Sequence, residues 1–407
     1  MPCKSHRNGH GGEVIFMEIM EGSRAVAEAV KACRPNVIAA YPITPQTHIV
    51  EEISRMVADG ELVSEYVRVE SEHSAMSVCV GASATGARTY TATTSQGMAL
   101  MHEVLFNAAG LRLPIVMTAA NRSLSAPINI WNDHQDMISE RDSGWIQLYS
   151  EDAQEASDMI IQAYKIAEDH DILLPVMIGM DGFILTHVHE PVELCSQEKV
   201  DDFLPLYDPI QYLTTENPLS FGTIVYPNTY TEFRYMIHEA MKKAERKIVD
   251  VASEFQDKFG RYYGGLIDTY EADDADLLIL AMGSVIGTAK DAVDELRSEG
   301  KKVGIVKVRC YRPFPAEAIV ESTKDAKAIA VLDKNISLGY EGALYTDVKS
   351  ALYGKNGPLA MGFVLGLGGR DINKKTIKNI VAKADKAIKS GIFEAETEFV
   401  DLDLEVL

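Results

Sequence analysis

The chain has 407 residues, of which 46% are hydrophobic and 24% are charged, and its formal net charge is −21. This length allows two α/β cores, and the composition is typical of a soluble globular protein. The negative charge argues against binding to nucleic acid or to an anionic membrane, since both need clustered lysine and arginine. Without a secretory signal or an apolar run of roughly 20 residues, we expect a cytoplasmic protein.

From Asn36 onward, short apolar runs alternate with helical patterns, which is typical of a parallel sheet covered by helices. In this first part we predict strands at 36–41, 66–69, 88–93, 114–119 and 174–180, and helices at 47–59, 73–84, 97–109 and 156–168. The stretches 121–144 and 191–227 show little periodicity. We predict that both are irregular, and that the second is an extended surface excursion rich in proline.

The second part begins with a charged helical segment at 232–262, which we interpret as a connecting helix. A second alternating set follows, with strands at 277–282, 303–309, 328–332 and 359–365, and helices at 287–299, 316–323 and near the end of the chain. The predicted organisation is a tail (1–17), a first α/β domain (18–230), a helical connector (231–265) and a smaller α/β domain (266–407).

Polar clusters follow four successive predicted strands, and ligands of open α/β sheets bind at the carboxyl ends of strands. The clusters are Tyr41-Pro42-Ile43-Thr44-Pro45, Glu70-Ser71-Glu72-His73, Thr94-Ser95-Gln96-Gly97 and Asn121-Arg122. Taken singly, each could be only a loop or a helix cap. Capping is the simpler role for Ser71, Thr94 and Ser95.

Two charged residues of these clusters call for a further explanation. Glu72 lies where a strand meets a small-residue apolar helix, so its carboxylate should be buried and in need of a partner. That partner could be the N–H groups of the helix or a reacting group. Arg122 could be a surface residue, or it could hold a substrate carboxylate through two parallel hydrogen bonds.

Metal ligands are harder to find in this sequence. The run 131–136 (WNDHQD) lacks ligands at defined spacing, so a hydrogen-bonded loop is the better interpretation. The cysteines are widely separated and form no C-x-x-C pair, which argues against an iron–sulfur or zinc site on this chain. They are Cys3, Cys33, Cys79, Cys195 and Cys310, and we expect buried or unreactive thiols in a reducing compartment.

Together, the clusters resemble the alpha subunits of pyruvate:ferredoxin oxidoreductases, within the 2-oxoacid:ferredoxin oxidoreductase family. The resemblance extends from about Glu18 to Asp385. Its most specific parts are 41–47 (YPITPQT), 69–75 (VESEHSA), 94–101 (TSQGMALM), 121–136 (NRSLSAPINIWNDHQD) and 308–315 (VRCYRPFP). It implies the pyrimidine-binding domain of thiamine-diphosphate enzymes, with a parallel sheet between helices, followed by a smaller transketolase-C-like α/β domain.

The resemblance also implies which residues contact the cofactor. The glutamate at the position of Glu72 hydrogen-bonds the aminopyrimidine N1′ of thiamine diphosphate in that family. Tyr41, Pro42, Ser95 and Gln96 belong to the motifs that surround the cofactor. The family reaction oxidatively decarboxylates a 2-oxoacid to its acyl-coenzyme A and CO2, and it reduces ferredoxin reversibly.

For the substrate, the resemblance implies that Thr44 and Arg122 face it and that Arg122 holds its carboxylate. This pattern fits pyruvate enzymes better than the oxalate-specific relatives, and 2-oxoisovalerate is the alternative substrate. A non-catalytic structural subunit is an alternative of another class. The presence of both Glu72 and Arg122 argues against it.

Partner subunits follow from a missing motif. No Gly-Asp-Gly, the magnesium diphosphate motif of these enzymes, occurs here, and Met180-Asp181-Gly182 lacks its first glycine. The resemblance therefore implies partners of beta, gamma and delta type that hold Mg²⁺, the diphosphate and [4Fe–4S] clusters. Because ferredoxins are usually acidic, the charge of −21 predicts that ferredoxin docks on those subunits.

Overall fold

The computed structural model describes residues 17–355, 357–391 and 397–406. The first part contains β1 (Glu18–Glu21), α1 (Gly22–Cys33), β2 (Val37–Ala40), α2 (Thr47–Ala58), β3 (Glu65–Arg68), α3 (Glu72–Ala84), β4 (Thr89–Thr93), α4 (Ser95–Gly110), β5 (Val116–Asn121), α5 (Gln135–Ser139), β6 (Ile146–Tyr149), α6 (Ala153–Ala167), β7 (Val176–Asp181), β8 (His189–Val192), α7 (Gln197–Phe203) and α8 (Tyr230–Phe259). The second part contains β9 (Ile267–Tyr270), β10 (Leu277–Ala281), α9 (Val285–Ser298), β11 (Val303–Val308), β12 (Cys310–Arg312), α10 (Ala316–Thr323), β13 (Ala328–Asp333), α11 (Ala343–Leu352), β14 (Leu359–Val364), a 3-10 turn (Leu367–Gly369), α12 (Lys374–Ser390) and β15 (Thr397–Phe399).

Two sheets form the core of the described residues. The first has the strand order β12-β6-β7-β5-β4-β2-β3, and all its neighbours are parallel except β12 and β6. The second has the order β15-β14-β13-β10-β11-β9, with only β9 antiparallel to its neighbour. Helices cover the strands, so central strands such as β5 and β10 are buried along their whole length. The predicted α/β class is confirmed.

Local sequence signals explain where several helices begin and end. Ser71 caps α3 by accepting a hydrogen bond from the Ser74 N–H at 3.3 Å, and Asp152 caps α6 in the same way. The 30-residue helix α8 ends at Gly260, whose φ of 75° suits a glycine. In the described part of the chain, no helix combines the length and the apolar character needed to cross a membrane.

Each predicted strand and helix is present, with its ends shifted by a few residues. Two predictions of irregular structure are wrong in part, because α5 lies within 121–144 and α7 lies within 191–227. Helices α1 and α11 were not predicted, nor were the short strands β1, β8, β9, β15, β6 and β12. Strands β6 and β12 are among the shortest. Four and three residues carry too little periodicity to be recognised, and only their pairing with each other defines them.

The chain after β11 returns to the first sheet, because β12 pairs with β6. Buried polar contacts reinforce this connection: Lys307 Nζ lies 2.7 Å from Glu155 Oε2, and Arg309 Nη2 donates to Gln162 Oε1 at 2.8 Å. The two sheets are therefore joined by hydrogen bonds as well as by the chain. The division into domains at 230 and 265 stays a prediction.

Candidate functional site

The four polar clusters meet at one edge of the first sheet. They follow β2, β3, β4 and β5, which are consecutive neighbours in the order β5-β4-β2-β3. From β2 the chain continues to β3 on one side, whereas from β4 it continues to β5 on the other side. This change of direction lies between β2 and β4, and in open α/β sheets it marks the crevice where ligands bind.

Glu72 is a buried carboxylate without a partner in the described chain. It is the first residue of α3, and only 6% of its surface is exposed. Among the residues that the structure describes, none donates a hydrogen bond to its carboxylate or forms an ion pair with it. Ser71, not Glu72, caps the helix. Because leaving a buried carboxylate unpaired is costly, this position fits a site whose partner comes from outside the chain.

Gly97 in the first turn of α4 makes room for the Glu72 side chain. A Cβ at position 97 would lie 2.8 Å from Glu72 Oε1 and 2.5 Å from Thr93 Oγ1, so a larger residue would push against both. The Thr93 hydroxyl is itself buried and has no hydrogen-bond partner in the described chain. Glu72 and Thr93 thus place unpaired polar atoms side by side at the end of β4.

Asp136, in the first turn of the short helix α5, connects the ends of β4 and β5. Its Oδ2 atom accepts hydrogen bonds from the Ser95 and Arg122 N–H groups, both at 3.0 Å. Its Oδ1 atom accepts from Asn121 Nδ2 at 3.0 Å and from the Met137 N–H at 2.7 Å. Burial raises the pKa of Asp136, although these four donors oppose the effect.

Ser95 has an unusual backbone conformation for a serine, with φ at 46°. Its Oγ lies 2.5 Å from the Ser123 carbonyl oxygen and 2.6 Å from Gln96 Oε1, and Asp136 holds its N–H. These contacts hold Ser95 in a strained conformation at the start of α4. Strained backbone conformations of this kind often occur at functional sites.

Arg122 is a buried guanidinium with no carboxylate against it. It is 7% exposed, its Nε donates to the Asn129 carbonyl at 3.1 Å, and its Nη1 donates to the Thr44 carbonyl at 2.9 Å. Nη2 has no partner among the described residues. Burial lowers the pKa of Arg122 from the usual arginine value. The contact with Thr44 brings the two predicted substrate residues together.

The loop after β2 is anchored by a residue that we did not single out. Gln46 is fully buried, donates to the Ala92 carbonyl at 2.7 Å, and accepts from the Ile43 N–H at 3.2 Å. Its place within the YPITPQT motif was the available signal. Tyr41 and Pro42 are exposed at the end of β2, and within the described ranges neither hydrogen-bonds to the other predicted site residues.

Asp181, the aspartate of the incomplete Gly-Asp-Gly pattern, is engaged by protein groups on both oxygens. Its Oδ1 lies 2.7 Å from His134 Nε2, and its Oδ2 lies 2.8 Å from Lys334 Nζ and accepts from the Ser284 hydroxyl. Burial by itself raises the pKa of Asp181, but Lys334 and His134 hold it well below the usual value. Asp181 therefore joins the two sheets.

Comparison with known proteins identifies the family of this chain. The family model for the thiamine-diphosphate-binding region of pyruvate flavodoxin/ferredoxin oxidoreductases matches residues 28–253, and the model for pyruvate:ferredoxin oxidoreductase core domain II matches residues 275–377. The chain belongs to the pyruvate flavodoxin/ferredoxin oxidoreductase family. It is thus related to oxidoreductases, as the sequence motifs predicted.

Two individual relatives place the chain within this oxidoreductase family, and one solved structure shares its fold. Pyruvate synthase subunit PorA of Methanosarcina barkeri is 56% identical over 96% of this chain and 98% of that protein. Ketoisovalerate oxidoreductase subunit VorA of Pyrococcus horikoshii is 48% identical over 95% of this chain and 98% of that protein. A 2-oxoglutarate:ferredoxin oxidoreductase structure from Magnetococcus marinus has the same fold, with a TM-score of 0.69 and 20% identity. This alignment covers 91% of our chain but spans only 65% of that one.

Only some of the predicted site residues contact one another in the described chain. Thr44 contacts Arg122, and Ser95 contacts Gln96. The run 131–136 is a hydrogen-bonded loop up to His134, as predicted, but Gln135 and Asp136 begin α5. Asp133 accepts the Gln135 N–H at 3.0 Å. The roles of these residues in binding or catalysis stay predictions.

The cysteines of the described chain are separate thiols. Cys33, Cys79 and Cys310 are buried as predicted, and burial raises the pKa of Cys79 to about 12. Cys195 is half-buried, and Arg261 Nη2 lies 3.1 Å from its sulfur. The remaining predicted thiol, Cys3, lies outside the described residues.

Proposed function

We propose that this chain is the alpha subunit of a pyruvate:ferredoxin oxidoreductase and supplies the pyrimidine half of its thiamine-diphosphate site. The complex would convert pyruvate, coenzyme A and oxidised ferredoxin into acetyl-coenzyme A, CO2 and reduced ferredoxin. The buried carboxylate of Glu72, which has no partner in the described chain, carries this proposal.

Glu72 fits the aminopyrimidine because the ring offers a nitrogen that can share a proton with a carboxyl group. When bound, thiamine diphosphate would supply a nucleophilic carbon for the 2-oxo carbon of the substrate and a ring that takes up the electron pair left when CO2 departs. Glu72 would hold a proton between its carboxyl oxygen and the ring nitrogen. Ser95 and Gln96 at the start of α4, with Tyr41 and Pro42 in the loop after β2, would surround the ring, because they lie on either side of the crevice.

Arg122 would hold the pyruvate carboxylate. The Thr44 and Asn129 carbonyls fix its guanidinium, and no carboxylate of the described chain forms an ion pair with it, although the nearby Asp136 carboxylate favours its charge. A substrate carboxylate would then form a charge-assisted hydrogen bond in a buried place, where such bonds are strong. Thr44 would lie beside the same group.

The remaining cofactor groups would come from beta, gamma and delta subunits. Asp181 is engaged by His134 and Lys334, so we assign Mg²⁺ and the diphosphate to a partner. The side chains of Ile128 and Trp131, close to Arg122 in sequence, are 80% and 54% exposed, which suits a surface that a partner covers. The [4Fe–4S] clusters and the ferredoxin contact are likewise assigned to partners, since the cysteines described here are separate.

The runner-up substrate is 2-oxoisovalerate, favoured by the 48% identity to the ketoisovalerate oxidoreductase subunit. The identity of 56% to a pyruvate synthase subunit favours pyruvate. An oxoacid panel on the assembled complex would separate them, because the better substrate has the higher kcat/KM. A non-catalytic subunit would leave both rates unchanged when Glu72 is replaced.

The test is Glu72→Gln in the assembled complex, saturated with cofactor and magnesium. Glutamine keeps the size and one hydrogen bond but cannot exchange the proton, so hydrogen–deuterium exchange at the cofactor C2 and dye reduction by pyruvate should both slow by about 10²–10⁴-fold. Glu70→Gln is the matched control, since Glu70 is exposed and lies two residues away. Wild-type rates in Glu72→Gln with the cofactor fully bound would contradict the proposal.

A further inference from the structure

A second group of ligand atoms lies outside the proposed cofactor site. Glu21 ends β1, His48 lies in the first turn of α2, and His187 follows the turn after β7. One ligand atom of each residue lies within 4.8 Å of the other two, and this is the one such group of three or more His, Cys, Asp or Glu residues in the described chain. His48 Nδ1 is 2.6 Å from Glu21 Oε1, and the two imidazole centroids are 4.6 Å apart.

We propose that Glu21, His48 and His187 bind a divalent transition metal, with Zn²⁺ the best fit. Two imidazoles and one carboxylate are a common zinc ligand set that leaves a fourth position for water. Mg²⁺ prefers oxygen ligands in octahedral geometry, so this site would differ from the magnesium site of a diphosphate. The net charge of −21 also favours cation binding.

The distances require only a small adjustment. Zinc bonds of about 2.0–2.2 Å would bring the ligand atoms to about 3.4 Å from one another. The His48 side chain is 46% exposed and the Glu21 side chain is 22% exposed, so both have room to rotate. The three ligand atoms, all within 4.8 Å of one another, are therefore close to the separation that a bound zinc ion would need.

Neighbouring groups orient His187 as they would in a metal site. Thr186 Oγ1 lies 2.7 Å from His187 Nδ1 and accepts the Phe183 N–H at 2.8 Å, which leaves Nε2 of the imidazole for a ligand. The Phe183 ring lies 4.8 Å from the His187 ring. The Ser23 N–H donates to the Thr186 carbonyl at 3.0 Å and holds this turn against α1. Such outer contacts fix the orientation of ligating histidines.

The position of the site gives it a structural consequence. His48 comes directly after the 41–47 loop, and a Cβ at Gly182 would lie 2.6 Å from Pro45 Cγ, so the turn that carries His187 packs on that loop. A bound metal would link β1, this turn and the start of α2. It would therefore stabilise the loop that contains Thr44.

The test uses the full chain without its partners, so it is independent of catalysis. Cys3→Ser, His6→Ala and His10→Ala remove the competing ligands of the N-terminal segment. We expect this chain to bind one equivalent of Co²⁺, with a visible absorption band, and to bind Zn²⁺ in calorimetry. His48→Ala and His187→Ala should each weaken Zn²⁺ binding by at least about 10–100-fold.

His102→Ala is the matched control, because His102 Nδ1 lies 2.7 Å from Glu140 Oε2 but has no second imidazole in its group. It should leave Zn²⁺ affinity unchanged. Glu21→Gln preserves the size of the carboxylate ligand, and it decides the matter if the alanine variants fold poorly, since it should also weaken binding. Absence of a Co²⁺ band in the parent chain, or equal Zn²⁺ affinity in the parent and the ligand variants, would overturn the proposal.

Discussion

Buried charges are paired differently in two regions of the molecule: the edge of the first sheet where β2 to β5 end, and the boundary between the two sheets. At the boundary, Asp181 contacts Lys334 at 2.8 Å, and Lys307 contacts Glu155 at 2.7 Å, so each buried charge faces an opposite one. At the edge, Glu72 and Arg122 are nearly as buried, but neither forms an ion pair within the described chain. Asp136 acts on the Arg122 guanidinium only at longer range, because its carboxylate binds the Arg122 backbone N–H instead.

Ion pairing within the chain distinguishes charges with a structural role from charges that fit an external ligand. A buried ion pair with further hydrogen bonds is held by the protein itself, and removing one member leaves the other uncompensated. An unpaired buried charge costs folding free energy until a ligand arrives, so its presence indicates function. The two regions should therefore respond to substitution in different ways.

The largest effect on stability is expected at the boundary. Asp181→Ala leaves Lys334 and His134 buried without their carboxylate, and breaking such a pair should lower the free energy of unfolding by about 3–5 kcal/mol. Chemical denaturation of the isolated chain measures this. The matched control is Asp171→Ala, because Asp171 pairs with Lys243 on the surface, where ion pairs contribute little. Equal stability losses in Asp181→Ala and Asp171→Ala would show that the buried charges at the boundary contribute no more to stability than a surface ion pair.

Asp133 is an intermediate case, because within the described residues its carboxylate accepts only the Gln135 and Gly368 N–H groups. Burial raises the pKa of Asp133 to about 6, from a usual value of 3.8. A raised folded-state pKa means that its stabilising contribution is present below about pH 4 and is lost as the pH rises through about 6.

The wild-type chain should therefore lose about 2–3 kcal/mol of stability relative to Asp133→Asn between pH 4 and pH 7. The hydrogen bond lost in Asp133→Asn contributes the same free energy at every pH. A change with pH in the stability difference between the two proteins therefore reports the raised pKa of Asp133. Unfolding free energies of both proteins at several pH values give this difference. A stability difference that stays constant between pH 4 and pH 7 would show that the pKa of Asp133 is not raised in the folded chain.

Replacing Arg122 should lower kcat/KM for pyruvate without changing the exchange rate at the cofactor C2. Arg122→Lys cannot reproduce the planar two-donor geometry, so the assembled complex should lose about 1.5–3 kcal/mol in kcat/KM for pyruvate. Exchange at the cofactor C2 needs no substrate and should stay at the wild-type rate. An unchanged kcat/KM in Arg122→Ala would identify Arg122 as a structural residue that only holds the 41–47 loop.

The smallest effect is expected for the stability of Glu72→Gln in the isolated chain. No described residue loses a hydrogen bond when Glu72 changes, and removing an unpaired buried charge should leave the chain as stable as before or more stable by up to about 1–2 kcal/mol. Denaturation beside Glu70→Gln measures it. A loss comparable to that of Asp181→Ala would show that Glu72 is a structural charge.

Much of the architecture could be predicted from periodicity alone. Strands β2, β5 and β7 are mainly apolar runs, β4 is a run of threonine, tyrosine and alanine, and α2, α3, α4 and α6 lie in the helical patterns between them, so each of these was recognised. Sheet neighbours were not predictable, because pairing between distant segments depends on tertiary packing. The strands β6 and β12 were therefore missed, although their pairing brings the chain of the second part back to the first sheet.

The sequence by itself determined which polar clusters follow which strands, because apolar runs and turn residues are local features. It also determined the family, through motifs such as YPITPQT and VESEHSA. Only the tertiary structure decided which charges are paired. Asp181 and Lys334 are 153 positions apart, and Glu21, His48 and His187 lie on three separate segments. Whether a buried carboxylate meets a cation or stays free depends on packing between distant segments, which no local pattern records.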